Sequence, residues 1–227
     1  PFVSGKDSLN NEYRAKDQRL PVIPTLVISA FGTINDAATT VDMALKTPGN
    51  LLYQVGATHD ELLGSHYATL LERASFEKRF PQTGLPQVHF AQARVTMRTL
   101  GAAIRAGIVQ SCHDLSEGGL AVAAAEMALA GQPGLELDLA KIPRGLQAHD
   151  ELATILLFSE SATRFLVEVT PEQQATFERF LRQFEVNDFA CIGSVTQADH
   201  LLIYEGTQTL VNLSASALQA AWKGEIA

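Results

Sequence analysis

Cysteine is nearly absent from this 227-residue chain: the only two are Cys112 and Cys191. That number excludes a disulfide framework and a cysteine-built zinc site. Both lie in apolar, strand-like runs, the setting of buried free thiols in a reducing compartment. Basic residues are also scarce, 17 Lys and Arg against 25 Asp and Glu, for a formal charge of −8. Broad nucleic-acid binding depends on cations that neutralise phosphates, so no nucleic-acid partner is expected. No apolar run is long enough to span a bilayer and no signal-peptide pattern is present, so no membrane is expected and a cytoplasmic location is. Internal repeats and low-complexity segments are missing too. The chain opens at Pro1-Phe2-Val3 without a methionine, which is read as a start inside a longer protein. What is there is ample apolar material. With 46% hydrophobic and 19% charged residues, the chain can bury a sizeable core as one large domain, or as one domain with a small appendage.

The stretch with most chemistry is His113-Asp114-Leu115-Ser116-Glu117-Gly118-Gly119-Leu120. It joins an apolar run ending at Cys112 to an alanine-rich run, Ala121 to Ala130, and so reads as a strand-to-helix turn. Such a turn offers free N–H groups and the positive end of a helix dipole, which together favour an anion. Asp114 can hold a hard cation such as Mg²⁺. Ser116 can cap the helix or turn its hydroxyl to a phosphate, and Gly118 and Gly119 let backbone approach a ligand closely. The plain alternative is a cap, tight packing and a satisfied core histidine. On residues alone the two readings stand level. A second loop, Ser4-Gly5-Lys6-Asp7-Ser8, gathers a flexible backbone, a cation, a carboxylate and hydroxyls, the equipment of a phosphate clamp, without the spacing of a P-loop.

Around these motifs, strands and helices alternate. Polar Asn10 to Arg19 and the prolines Pro21 and Pro24 have the composition of a linker. Strands are expected at Leu26–Thr33, Thr39–Met43, Leu51–Val55, Ile108–Cys112, Leu135–Leu139, Arg164–Val169, Phe189–Val195, Leu201–Tyr204 and Thr209–Leu213. Helices are expected over Val88–Ala106 with Gly107 as the stop, over His149–Phe158, from Thr170-Pro171-Glu172 onward, and after a Ser214 cap. The pattern is an α/β (α+β) domain with a mixed sheet and packed helices.

Taken together, Ser4 to Glu12 and His113 to Leu120 resemble formylglycinamide ribonucleotide amidotransferase, also called phosphoribosylformylglycinamidine synthase. Met43 to Asp60, Gly64-Ser65-His66-Tyr67 and Leu157-Phe158-Ser159-Glu160-Ser161 extend the resemblance in the same order. It implies a C-terminal-type domain of the aminoimidazole ribonucleotide synthetase-like superfamily at residues 25–227. Residues 1–24 would be the tail of a preceding N-terminal-type domain plus linker.

The resemblance also implies a ligase of purine biosynthesis. It uses ATP and Mg²⁺ to convert formylglycinamide ribonucleotide to the amidine with ammonia from a glutaminase domain or subunit. Gly5 falls where the family's loop meets ATP, Ser8 where it meets the ribonucleotide, and Lys6 beside a nucleotide phosphate. Asp114 matches a Mg²⁺ position, and Ser116, Gly118 and Gly119 an ATP/ADP position, at a second, auxiliary half-site. Glu160-Ser161 match part of a serine-glutamate-serine motif whose first-copy counterpart binds the ribonucleotide, although Ala162-Thr163-Arg164 depart from its polar continuation. Remaining synthetase domains of the same chain would supply the other walls of the site, so no residue is assigned as catalytic and the chain alone is expected to be inactive. Two competing readings are another ATP-dependent enzyme of the superfamily (aminoimidazole ribonucleotide or selenophosphate synthetase) and a non-catalytic scaffolding or dimerisation domain. The Gly5 to Glu12 loop speaks against the former.

Overall fold

The computed structural model describes residues 5, 12–16, 18–22, 27–146 and 150–225. They form two compact units, Pro1–Asn35 and Asp36–Ala227. In the first, β1 (Glu12–Ala15) and β2 (Gln18–Pro21) make an antiparallel hairpin in the stretch expected to be linker. Residues 27–34, within the expected strand Leu26–Thr33 and just past it, are in no strand. Their apolar side chains face solvent, Val27 at 84% exposure and Phe31 at 96%. β-branched composition alone does not make a strand, because a ladder needs a neighbour to take its N–H and C=O groups.

The second unit is built on a sheet of seven strands: β3 (Leu51–Val55), β4 (Val109–Asp114), β5 (Gly134–Asp138), β6 (Phe165–Val169), β7 (Phe189–Thr196), β8 (His200–Glu205) and β9 (Gln208–Ser214). Their order is β4-β6-β3-β7-β5-β8-β9. Every neighbouring pair is antiparallel except β5 with β8, so the sheet is mixed as expected. The expected strand at Thr39–Met43 does not form: Thr39 ends a 3-10 turn, Ala37–Thr39, opened by the Asp36 carboxylate, which accepts the Ala38 N–H, and residues 40–43 are in no strand. The chain then runs beside edge strand β4 and meets it through Cys112 N–H to Asp42 O at 3.0 Å.

Helices cover both faces of the sheet. They are α1 (His66–Thr69), α2 (Arg73–Arg79), α3 (Phe90–Arg105), α4 (Gly119–Gly131), α5 (Leu152–Phe158), α6 (Gln174–Gln183) and α7 (Ala215–Trp222). On one face, Leu52, Leu166 and Ile192 pack with Leu120, Ala123, Met127, Leu156 and Leu218 from α4, α5 and α7. On the other, Tyr53, Val167 and Val169 pack with Leu100, Phe177 and Leu181 from α3 and α6. The two-residue alternation of β3 and β6 thus feeds two cores at once. In α4, Leu120 and Met127 are fully buried and contribute roughly 1.5–3 kcal/mol each. The small alanines between them let the helix lie close to the sheet, and this fixes where its N-terminus points.

The turn that leads into β3 is anchored by Glu168, whose buried carboxylate accepts from Lys46 N, Thr47 N, Asn50 Nδ2 and Ser111 Oγ at 2.6–3.2 Å. Among the described residues, no helix is long and apolar enough to cross a membrane.

Candidate functional site

The strand-to-helix turn forms where the sequence puts it. β4 carries two residues past Cys112 and ends on Asp114, which is exposed. Leu115 then drops into the core, its N–H bonded to Arg164 O at 2.9 Å. Ser116 and Glu117 are exposed, and α4 starts at Gly119 with Gly118 as its N-cap. Ser116 is therefore not the helix cap, one of the two roles expected for it. Glu117 is held below the usual carboxylate range, first by its own backbone N–H and then by the Ser116 hydroxyl.

The glycine pair has a steric cause. Gly118 and Gly119 have φ of 78° and 65°, the left-handed region that side chains disfavour. A Cβ on Gly119 would lie 2.5 Å from Ser159 O, and one on Gly118 would collide with Val122. The chain that Gly119 admits is the end of α5 and the Ser159-Glu160-Ser161 loop.

That contact brings in a group the motif itself does not contain. Glu160 Oε1 accepts the Gly118 N–H at 2.8 Å and the His66 N–H, at the start of α1, also at 2.8 Å. An internal carboxylate thus sits where the start of α4 favours an anion. Behind it, Arg164 is buried, with its guanidinium bonded to Ser161 O, Thr58 Oγ1 and Ser159 O. Burial pulls Arg164 down to about 10, offset in part by the charges of Glu61 and Glu160. His113 is fixed from both sides: Nε2 lies 2.7 Å from Glu126 Oε2 of α4, and Nδ1 lies 3.5 Å from Asp114 Oδ1. Asp114, Ser116, Glu160 and Arg164 line one end of an open cleft of about 560 Å³, whose other walls include Leu100 and Phe165.

The turn thus gathers Asp114, Ser116, Gly118 and Gly119 and adds Glu160, His113 and Glu126. Gly5 is exposed and belongs to the first unit. Lys6 and Ser8 lie outside the described residues. No group of three or more His, Cys, Asp or Glu side chains that could hold a metal occurs among the described residues. Mg²⁺ does not require one, since it usually binds one or two carboxylates and completes its shell with water and phosphate. An exposed Asp114 at the cleft suits that mode.

With this geometry in place, comparison with known proteins is specific. Residues 47–204 match the family described as AIR synthase related protein, C-terminal domain. The chain belongs to this family. Over its whole length it is 32% identical to the phosphoribosylformylglycinamidine synthase subunit PurL of Nostoc sp., of which it spans 28%. Among solved structures, Thermotoga maritima PurL complexed with FGAR matches with a TM-score of 0.66 at 18% identity, over 80% of this chain and 30% of that one. The same protein complexed with ATP matches at 0.62 and 17%, over 80% and 27%. Escherichia coli HypE, a hydrogenase maturation protein, matches at 0.53 and 16%, over 86% and 54%. At such identities these likenesses establish the AIR synthase-type fold and no more. The resemblance and the fold class read from the sequence both hold.

Proposed function

We propose that this chain is part of a phosphoribosylformylglycinamidine synthase, in which it supplies an auxiliary nucleotide–Mg²⁺ half-site at the turn from β4 to α4. The observation that carries this is the full-length 32% identity to a PurL subunit, including the stretch in which Asp114 and Ser116 border the cleft. The activity proposed for the whole protein is ATP-dependent amidation of formylglycinamide ribonucleotide, with ammonia from a glutaminase partner. The chain alone is proposed to be inactive, because remaining synthetase domains would supply the other walls of the site.

In this reading Asp114 would hold Mg²⁺, kept in place by the contact of His113 with both Asp114 and Glu126. When bound, the cation would neutralise charge on the nucleotide phosphates. Ser116 borders the cleft and would face those phosphates, Gly118 and Gly119 are proposed to let the backbone come close to them, and Leu100 and Phe165 give the same cleft an apolar flank. Gly5 and Lys6 are proposed to approach nucleotide, and Ser8 the ribonucleotide. The name of the T. maritima complex with ATP supports nucleotide as the ligand class.

The test is thermal unfolding of the 227-residue chain with Mg²⁺ alone and with Mg²⁺ plus ADP. A ligand that binds the folded chain must raise its apparent stability, by about 2.7 kcal/mol at a hundredfold excess over Kd. An unchanged melting temperature at saturating ADP sinks the half-site.

A further inference from the structure

We infer that the exposed face of α3 is a docking surface for an acidic amphipathic helix of another protein chain. α3 turns Ala93, Thr96, Thr99, Leu100 and Ala103 into the molecule. Its other face carries two ridges. Arg94, Arg98 and Arg105, at i, i+4 and i+11, share one line along the helix. Phe90, Met97 and Ile104, at i, i+7 and i+14, share the line beside it. Phe90 is 83% exposed and Met97 55%. Between the ridges stands Gly101, where the side-chain atom nearest to an added Cβ is Arg105 Nη1, at 3.4 Å. Neither ridge uses a residue assigned to the half-site.

The stability of α3 does not account for these arginines. The chain carries −8 overall, yet α3 has three arginines and no acidic residue. Elsewhere, exposed helical arginines stand four residues from a carboxylate that pairs with them, as in Arg73–Glu77 and Glu178–Arg182. Arg94 and Arg98 have that same spacing with like charge, which costs the helix stability. None of the three arginines makes an ion pair among the described residues. Asp188 reaches α3, but it accepts from Gln92 at 2.8 Å and not from an arginine. Arg105 alone has a local reason, since the last turn of a helix favours a cation.

The missing negative charge therefore has to come from outside. Exposed phenylalanine, methionine and arginine are also the residues that protein interfaces favour. A spacing of sevens is the repeat with which one helix packs along another, and Gly101 lets a partner backbone come close. Met97, Gly101 and Ile104 line the cleft together with Cys112 and Phe165, so the apolar ridge borders a groove and not a flat surface. Nucleic acid would answer the arginines but leave the Phe90–Met97 ridge bare, and the overall charge repels it. A helix with an apolar stripe flanked by Asp or Glu answers both ridges at once.

The probes are two designed helical peptides with the same leucine stripe, one flanked by glutamate and the other by lysine. Affinity is read by fluorescence anisotropy. The wild-type chain should bind the glutamate peptide more tightly than the lysine peptide by about tenfold or more. Arg94→Glu combined with Arg98→Glu should reverse that preference, which a loss of structure could not do. Phe90→Ser should weaken both peptides. Equal affinity for the two peptides in the wild type overturns the inference, and so does an unchanged preference in the charge-reversed chain or wild-type binding by Phe90→Ser. Displacement of the glutamate peptide by oligouridylate or by phosphatidylserine vesicles overturns it too, since that marks a surface for any polyanion. So does a dimer of the chain that Phe90→Ser dissociates, because the face then belongs to a second copy.

Discussion

Glu168 carries a carboxylate on β6, where it is fully buried and met by neutral donors from Lys46, Thr47, Asn50 and Ser111. Removing it leaves several buried donors without an acceptor, at about 1–3 kcal/mol each. Glu168→Ala should lower the unfolding free energy by roughly 3–5 kcal/mol in urea titrations; a loss under about 1 kcal/mol would mean that water replaces the carboxylate. The two cysteines are free thiols, as their setting in the sequence suggests, but half-buried rather than buried. Burial pushes the Cys112 thiol up to about 12, and it raises Cys191 as well. A thiol kept neutral in the fold leaves stability flat below its ordinary value of 9.0. Stability then falls as pH rises past that value, because only the unfolded chain releases the proton. Both thiols should resist alkylation at pH 8 in the native chain and react readily in denaturant, and fast native labelling would contradict the burial. At this scale, Asp114, Ser116 and the glycines were legible as a motif. Glu160 as their neighbour was not, since it comes from 42 residues downstream of Gly118.

Elements with a local cause were read well. The strands β3 and β6, the run of small apolar residues in α4 and the Gly107 stop after α3 each appear close to where the pattern put them. Ser214 caps α7, its Oγ accepting the Ala217 N–H at 3.2 Å. Ser214→Ala should therefore cost about 1 kcal/mol in urea unfolding, and no change would show that the helix is held by packing alone. Elements that depend on a distant partner were misread. The apolar stretch at 27–34 has the composition of a strand, but in the structure it is exposed and in no strand. The stretch read as linker, Asn10 to Arg19 with Pro21 and Pro24, contains a hairpin, a local pairing that the sequence reading did not anticipate. Hairpin formation depends on turn register, which composition does not encode.

For the molecule as a whole, the sheet order β4-β6-β3-β7-β5-β8-β9 could not be read from strand positions, because most neighbours are far apart in sequence. It matters for function, because pairing β4 with β6 sets the end of β4 beside the segment that follows Ser159-Glu160-Ser161. The acidic character of the chain, −8 overall, continues locally in Asp114, Glu117 and Glu160, so the account requires a cation for any phosphate ligand. The central claim is that Asp114 brings that cation. The direct measurement is calorimetric titration of ADP, with and without Mg²⁺, into the wild-type chain and into Asp114→Asn. The account predicts Mg²⁺-dependent binding in the wild type, and in Asp114→Asn a loss of about tenfold or more that excess Mg²⁺ partly restores. Equal ADP affinity in both chains, or affinity indifferent to Mg²⁺, would contradict it.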